Sequence, residues 1–381
     1  MLADFARPVR RLFTIAFILC LYLPAWADTV EPFVMPSARF RALGGNHSAM
    51  ADDFYAIFLN PAALADVKEE FSAAEMSLGF YGPMLEIIDL ARKSDDEDLD
   101  ISALVGPGGF AAGFEMGGPL SLGWVGRGLG FGIFNRVKAN ASVGGTRLNS
   151  LASGELLFTG GYGFRIINKG SHTLDGGFMG KGFFRGLVDL RAEIFNIDEL
   201  FNDPGDQPFD THLGLGLDLG LRYIFAENLS LALVCYDVYS PVLVTRYDSM
   251  SDFGDGSKSG TSTSYATVYR RLDMGIKYRI RSTLIDRYIT QLTVMADYRD
   301  VLDLFSLVSR NPVLNIGLGL ELTVLNALSF RVGIGDALPA LGFGLDLSFM
   351  TLDFAVYGKE LGLDPGTLPV YAMDIGFLFR Y

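Results

Sequence analysis

Three histidines, His47, His172 and His212, are the first residues to test for chemistry. In a hydrolase a histidine activates a serine nucleophile, and in a metal site two histidines usually lie a few residues apart on one element. None of the three follows a Gly-x-Ser-x-Gly turn, and no two lie close together in the sequence. We therefore expect polar loop or lumen groups here, with no catalytic residue, metal site or cofactor.

Two other motifs have the composition of ligand sites in an unfavourable context. Residues 94–100 read Ser-Asp-Asp-Glu-Asp-Leu-Asp, and their oxygens suit Ca²⁺, but the EF-hand spacing and its glycine are missing. A solvated acidic loop is the expectation, with cation binding left open. The glycine-rich runs at 128–132 and 214–217 resemble nucleotide fingerprints, yet no helix follows either of them.

The composition excludes several classes of protein. Of the 381 residues, 50% are hydrophobic and 20% charged, so the chain has enough apolar surface to fold and is not disordered. Two cysteines are too few for a disulfide scaffold, and a net charge of −13 disfavours nucleic acid as a partner. An unusual combination remains: 45 Gly, 30 Phe and 16 Tyr in a chain of mean hydropathy +0.29.

The N-terminus has the pattern of a cleavable secretory signal peptide. Arg10 and Arg11 precede an apolar run over residues 12–23, and Ala25-Trp26-Ala27 matches the small-x-small cleavage site. The run is too short for a membrane-spanning helix, which needs about 20 apolar residues. We expect residues 1–27 to be removed by a cut after Ala27.

Hydrophobic residues beyond the signal alternate with polar or small ones, a period that indicates strands. Residues 211–225 place leucines on one face and Gly, Asp or Arg on the other, and residues 371–381 repeat the pattern. A β-sandwich and a transmembrane β-barrel both produce such alternation. The strands are about 9–13 residues long with charges on the polar face, which favours a barrel whose lumen is wet.

The connections between the predicted strands alternate in length. Short turns follow the even-numbered strands and mostly longer loops follow the odd-numbered ones, as in outer-membrane barrels. Residues 71–381 are therefore predicted to form an all-β membrane domain, an antiparallel transmembrane β-barrel of about fourteen strands. The predicted strands are 71–81, 110–125, 128–141, 152–167, 172–184, 211–225, 229–240, 264–281, 289–299, 312–323, 327–335, 339–348, 351–357 and 371–381.

The segment ahead of the barrel does not alternate. Residues 36–66 are rich in small residues with short helical stretches, and Pro61 suits the start of a helical turn capped by the Asn60 side chain. A compact element of this kind, within residues 28–70, has a natural place inside the lumen as a plug. Inward-facing glycines on many strands would leave room for it.

This segment resembles the N-terminal hatch of the FadL-type outer-membrane transporter superfamily. The matching stretches are residues 41–45 (Arg-Ala-Leu-Gly-Gly), the pair Asp52-Asp53 and residues 58–65 (Phe-Leu-Asn-Pro-Ala-Ala-Leu-Ala). Asn60, Pro61 and Ala62 are the most specific part of the motif. The C-terminal aromatic Tyr381 also agrees with the family, whose members end in an aromatic read by the barrel-assembly machinery.

The resemblance implies a hatch that shifts, a hydrophobic ligand and a kinked wall strand that opens sideways. Gly117-Gly118-Pro119 interrupts the second strand and is the candidate kink, with an ordinary bulge as the alternative. The ligand-binding residues cannot be assigned: Phe110, Phe114, Phe183 and Phe184 would line a pocket or face lipid equally well.

The expected function is an outer-membrane channel that passes hydrophobic small molecules, most of all long-chain fatty acids, by diffusion past the hatch. Its expected partners are outer-membrane lipid, the hydrophobic ligand and, during biogenesis, the barrel-assembly machinery. Two alternatives remain open. One is a structural or secretion-accessory barrel of the PorV kind without solute flux, and the other is a soluble exported β-protein.

Overall fold

The chain folds into one closed antiparallel barrel. The computed structural model describes residues 28–50, 53–83, 110–144, 147–193, 204–256, 261–280 and 289–380. Within these ranges each wall strand pairs with its sequence neighbours, and the last strand closes the barrel by pairing with the first wall strand, from Ala372↔Tyr81 to Arg380↔Ser72. No described helix is long and apolar enough to cross a membrane.

The strands are β1 (Asp28–Val30), β2 (Glu70–Tyr81), β3 (Phe110–Gly117), β4 (Leu122–Gly126), β5 (Leu129–Gly144), β6 (Arg147–Lys169), β7 (His172–Glu193), β8 (Phe209–Phe225), β9 (Leu229–Tyr239), β10 (Pro241–Tyr247), β11 (Ser262–Val268), β12 (Arg271–Ile280), β13 (Ile289–Tyr298), β14 (Ile316–Val324), β15 (Leu328–Gly335), β16 (Leu338–Asp346), β17 (Met350–Glu360) and β18 (Pro369–Arg380). The α-helices are α1 (Ala38–Ala42), α2 (Ala56–Leu59) and α3 (Met250–Gly254), and the 3₁₀ helices are η1 (Pro61–Ala65), η2 (Pro204–Asp206), η3 (Val301–Phe305) and η4 (Pro312–Asn315).

The wall consists of seventeen segments, β2 to β18, but three of its strands are each divided into two segments. The barrel therefore has fourteen strands. The pairs β3 and β4, β9 and β10, and β11 and β12 each occupy one position, because both members pair with the same neighbouring strand or with its continuation. The predicted strand number is therefore confirmed.

Apolar side chains face outward and charged side chains face inward, the reverse of a water-soluble sandwich. On β8, Leu213 and Leu215 are 59% and 62% exposed, whereas Asp218 and Arg222 are buried. Large apolar side chains are exposed in the same way around the wall, among them Phe131 on β5. An apolar outer surface with charges enclosed is stable only in lipid, so the fold is a transmembrane barrel and the soluble-protein alternative is wrong.

The predicted loop at 142–151 is wrong. β5 and β6 continue through it as a ladder that runs from Ala141↔Ser150 to Gly144↔Arg147. Polar residues, among them Ser142, Asn149 and Ser150, weaken the apolar alternation here, although Val143 and Leu148 lie opposite each other in the ladder. The region 241–263, also predicted as loop, contains β10 and α3.

The two ends of the barrel differ. Five described short turns, at residues 127–128, 170–171, 226–228, 325–327 and 347–349, lie at one end, called here the turn end. The opposite end is called the loop end. The predicted cation loop at 94–100, Tyr381 and residues 1–27 lie outside the described residues.

Candidate functional site in the barrel lumen

The N-terminal segment, defined here as residues 31–69, lies against the inward face of the wall on both sides of the lumen. It follows β1, which pairs in parallel with the edge of β11 from Asp28↔Ala266 to Val30↔Val268. Helix α1 packs on β15 to β18, and η1 packs on β6 to β8. Most of the described apolar side chains of the segment are buried between these contact areas.

Asn60 joins two parts of this segment to the wall. Its Oδ1 accepts a hydrogen bond from the Ala62 amide at 3.0 Å, which caps η1, and Pro61 takes the first position of the helix. Its Nδ2 donates to the carbonyls of Ser48 and of Leu221 on β8, both at 3.3 Å. The predicted cap is present, and the same side chain also ties η1 to β8.

Three glycines on adjacent strands form the seat of η1. A Cβ on Gly163 of β6 or on Gly177 of β7 would overlap the backbone of η1, and a Cβ on Gly220 of β8 would overlap the Asn60 side chain that caps it. A Cβ on Gly163 would lie 2.6 Å from the Pro61 carbonyl oxygen, and one on Gly177 would lie 2.5 Å from the Ala62 nitrogen. The turn therefore touches the wall backbone directly, which only glycine permits.

Helix α1 is seated in a similar way on the opposite wall. Gly333 on β15 and Gly342 on β16 face Leu43 and Ala42 with no room for a Cβ. Arg39 of α1 forms ion pairs with Asp53 of the same segment and, at 3.1 Å, with Glu321 on β14. Both ends of the segment are thus held by close backbone contact and by polar groups.

His47 lies at the centre of the segment and is completely buried. Its Nδ1 is 2.7 Å from Asp297 Oδ2 on β13, and its Nε2 is 2.8 Å from the Leu43 carbonyl oxygen. Ser48 donates to Asp297 Oδ1 from both its amide and its hydroxyl. The Ser48 hydroxyl donates to the Asp297 carboxylate and not to the His47 ring, and the group is buried away from any substrate. These three side chains therefore attach the N-terminal segment to β13.

The other two histidines lie elsewhere. His172 at the turn end contacts the Tyr223 hydroxyl through Nδ1 at 2.6 Å. His212 lies on β8, opposite Arg185 of β7. Among the described residues no group of three His, Cys, Asp or Glu side chains is placed to hold a metal ion.

A cavity of about 230 Å³ at the loop end, called here the basic cavity, is lined by six cationic side chains and the two carboxylates of Glu31 and Glu115. Four of the cations also pair with carboxylates behind the lining: Arg41 with Asp374, Arg136 with Glu155, Arg271 with Asp273 and Arg299 with Asp336. Lys138 binds Glu31 at 2.7 Å, and Lys359 lies 5.0 Å above the Tyr81 ring. The six cationic residues are Arg41, Arg136, Lys138, Arg271, Arg299 and Lys359.

A second cavity lies deeper in the lumen and is nearly filled. Its volume is about 40 Å³, far below the roughly 300–1,000 Å³ of ligand pockets, because Phe33, Phe40 and Phe58 of the N-terminal segment project into it. Its polar end is formed by Lys181, whose Nζ pairs with Asp218 at 2.8 Å and with Asp237 at 2.7 Å. These two carboxylates are buried side chains of β8 and β9.

The wall strand is interrupted at the position of the candidate kink. β3 ends at Gly117 and β4 begins at Leu122, so four residues lie opposite two of β5, Phe134 and Asn135. Gly118 has a positive φ of 81°, and the peptide bond to Pro119 is cis. The Gly118 amide donates to the Asn135 carbonyl, and Asn135 Nδ2 donates back to the Gly118 carbonyl at 3.0 Å.

The phenylalanines considered as pocket residues divide between the two faces. Phe183 is buried on the inward side, whereas Phe184 is 40% exposed on the outside. Phe114 packs against Phe80, with ring centroids 5.3 Å apart. The aromatic residues that do line the deep cavity come mainly from the N-terminal segment, which the sequence pattern did not indicate.

Several solved structures are similar to the chain. They include the toluene transporter TbuX of Ralstonia pickettii (14% identity, TM-score 0.47, covering 93% of this chain and 98% of that one). They also include the toluene transporter TodX of Pseudomonas putida (13%, 0.45, 93% and 99%) and a FadL homologue of Pseudomonas aeruginosa (13%, 0.42, 93% and 98%). The chain resembles FadL-type channels. Neither a protein-family model nor a curated protein matches it.

Proposed function

We propose that this protein is an outer-membrane channel for hydrophobic small molecules, in particular long-chain fatty acids, which diffuse through it when the N-terminal segment moves. The turn end then faces the periplasm and the loop end faces outward, as the short turns of such barrels do. The proposal rests on the deep cavity. The N-terminal segment supplies both its apolar lining and the side chains that fill it. Displacing Phe33 and Phe58 would open apolar space of ligand size.

The charge at the loop end supports a fatty acid as the ligand. A carboxylate head would be attracted by the basic cavity, and Lys359 is the cation there that no described carboxylate pairs. An apolar tail would extend toward the deep cavity, since Val34 and Asn46 line both spaces. Attraction of this kind increases the rate of capture and weakens as the salt concentration rises.

The experiment is uptake of labelled oleate and of labelled toluene into liposomes that contain the purified protein. We expect flux of both compounds above that of empty liposomes. Lys359→Gln should slow oleate several-fold at low salt and leave toluene unchanged, and Lys68→Gln, an exposed lysine outside the cavities, is the matched control. Absence of flux for both compounds would overturn the channel function and favour the secretion-accessory alternative, which predicts a stable protein partner.

A further inference from the structure

A third cavity, of about 790 Å³, opens at the turn end below η1 and shares no lining residue with the basic cavity or the deep cavity. It is bounded by the turns at 170–171 and 226–228 and by Asp66, the residue that ends η1. Its volume exceeds those of the basic cavity and of the deep cavity. Its position places it where a molecule leaving the barrel past η1 would emerge.

The wall of this cavity carries an excess of positive charge. Arg165 on β6, Arg222 on β8, and Lys277 and Arg279 on β12 all line it. The carboxylates that line it are Asp66 and Glu227. Asp175 lies behind the first two arginines and pairs with each of them at 3.0 Å.

The chain already places a carboxylate between two of these cations. Asp66 Oδ1 lies 3.0 Å from Arg165 Nη2, and its Oδ2 lies 3.7 Å from Arg222 Nη2. The Asp66 side chain is 52% exposed, and an ion pair this exposed contributes little stability. A second carboxylate that enters the cavity can therefore exchange with Asp66 at small cost.

We propose that this cavity is a release site for the carboxylate of an amphiphilic acid, which replaces Asp66 at Arg165 and Arg222 and thereby loosens η1. The proposal rests on the proposed channel function and adds its exit step. Guanidinium groups favour carboxylates because they bind them in a planar, charge-assisted geometry. Lys277 and Arg279 add attraction from the facing wall. Binding of the acid then weakens the packing of η1 on the wall, and the packing of η1 weakens the affinity for the acid by the same factor.

The test compares octanoate with 1-octanol, two probes of equal chain length of which only one carries a carboxylate. Hydrogen exchange of the amides of residues 62–66 is followed in the full mature chain while each probe is titrated. We expect octanoate to increase exchange and octanol to have no such effect. Asp66→Asn should raise the exchange without ligand and shift the octanoate midpoint several-fold lower, because the internal competitor is gone.

The variant Lys277→Gln/Arg279→Gln should shift the octanoate midpoint about tenfold higher, since two positive charges that attract the carboxylate from the facing wall are removed. Arg279→Gln alone gives a smaller shift and serves if the double variant fails to fold. Arg127→Gln, on the exposed turn at 127–128, removes one charge from the same end outside the cavity and should match the wild type. Equal effects of octanol and octanoate, or an unchanged midpoint in both cavity variants, would overturn the proposal.

Toluene flux measured on the same preparations separates this proposal from the channel function. Toluene has no carboxylate, so its flux should be equal in the wild type and in Arg279→Gln. A barrel that binds octanoate at this cavity but passes neither toluene nor oleate would support the release site and contradict the channel function. A barrel that passes both compounds with no octanoate effect on residues 62–66 would support the channel function and contradict the release site.

Discussion

His47 Nδ1 lies 2.7 Å from Asp297 Oδ2, and this contact joins the centre of the N-terminal segment to β13 across 250 positions of sequence. Both ring nitrogens face acceptors, because Nε2 meets the Leu43 carbonyl. Both side chains are almost completely buried, so no solvent can replace a lost partner.

His47→Ala should release the centre of the segment. The substitution leaves Asp297 buried without one of its partners, and breaking a buried pair in this way costs about 3 kcal/mol. Hydrogen exchange of residues 38–50 should then become about a hundredfold faster, because each 1.4 kcal/mol is a factor of ten. His172→Ala, at the turn end and away from the segment, is the control. Equal protection in both variants would show that the His47 contact does not hold the segment.

The barrel was predictable because its signal is local. Alternation of apolar and polar residues along each strand requires only a lipid face and a lumen face, and 211–225 shows it in the sequence as in the structure. The 142–151 hairpin was missed because its Ser, Gly and Asn residues weaken that alternation although the ladder continues. The wall partners of the segment were missed for a different reason: Asp297 and Gly177 have no local pattern that relates them to His47 or Pro61.

Gly177→Ala should displace η1 from the wall. A Cβ at this position would lie 2.5 Å from the Ala62 nitrogen and in contact with the Pro61 carbonyl, and neither backbone atom can move alone. Overpacking of this kind costs about 1–3 kcal/mol. The expected result is a higher conductance to small ions in planar bilayers.

Gly180→Ala on the same strand is the matched control for the seat. The nearest atom to a Cβ there is the Gly160 carbonyl oxygen at 3.5 Å, an ordinary contact. Its conductance should equal that of the wild type. If Gly177→Ala and Gly180→Ala conduct alike, close backbone contact with η1 has no role in closing the barrel.

Attachment of the segment near Glu31 should depend on pH. Burial raises the pKa of Glu31, but the attraction of Lys138, Arg136 and Arg185 outweighs it and leaves the pKa below its usual value of 4.5. A carboxyl whose pKa is lowered in the folded state contributes its stability above the unfolded pKa and loses it as the pH falls through the folded one. The contact should therefore persist at pH 5 and weaken below about pH 4.5.

A nitroxide attached at Thr29→Cys would report this change, since Thr29 lies in β1 beside Glu31. In the wild-type background the label should be immobile at pH 5 and gain mobility as the pH falls below 4.5. In a Glu31→Gln background it should be equally mobile at both pH values. Loss of immobility in the two backgrounds at the same pH would assign the transition to another group.

Asn60→Ala should weaken the closure at η1 through two separable contacts. It removes the cap on the Ala62 amide, which is typically about 1 kcal/mol, and the two amide hydrogen bonds to the Ser48 and Leu221 carbonyls. Asn60→Ser keeps a neutral oxygen acceptor for the cap and loses the amide donor, so its conductance to small ions should lie between those of the wild type and Asn60→Ala. Because the side chain is completely buried, solvent cannot replace the lost donor. A conductance of Asn60→Ser equal to the wild type would assign the closure to the cap alone, and an unchanged conductance in both variants would remove Asn60 from the closure.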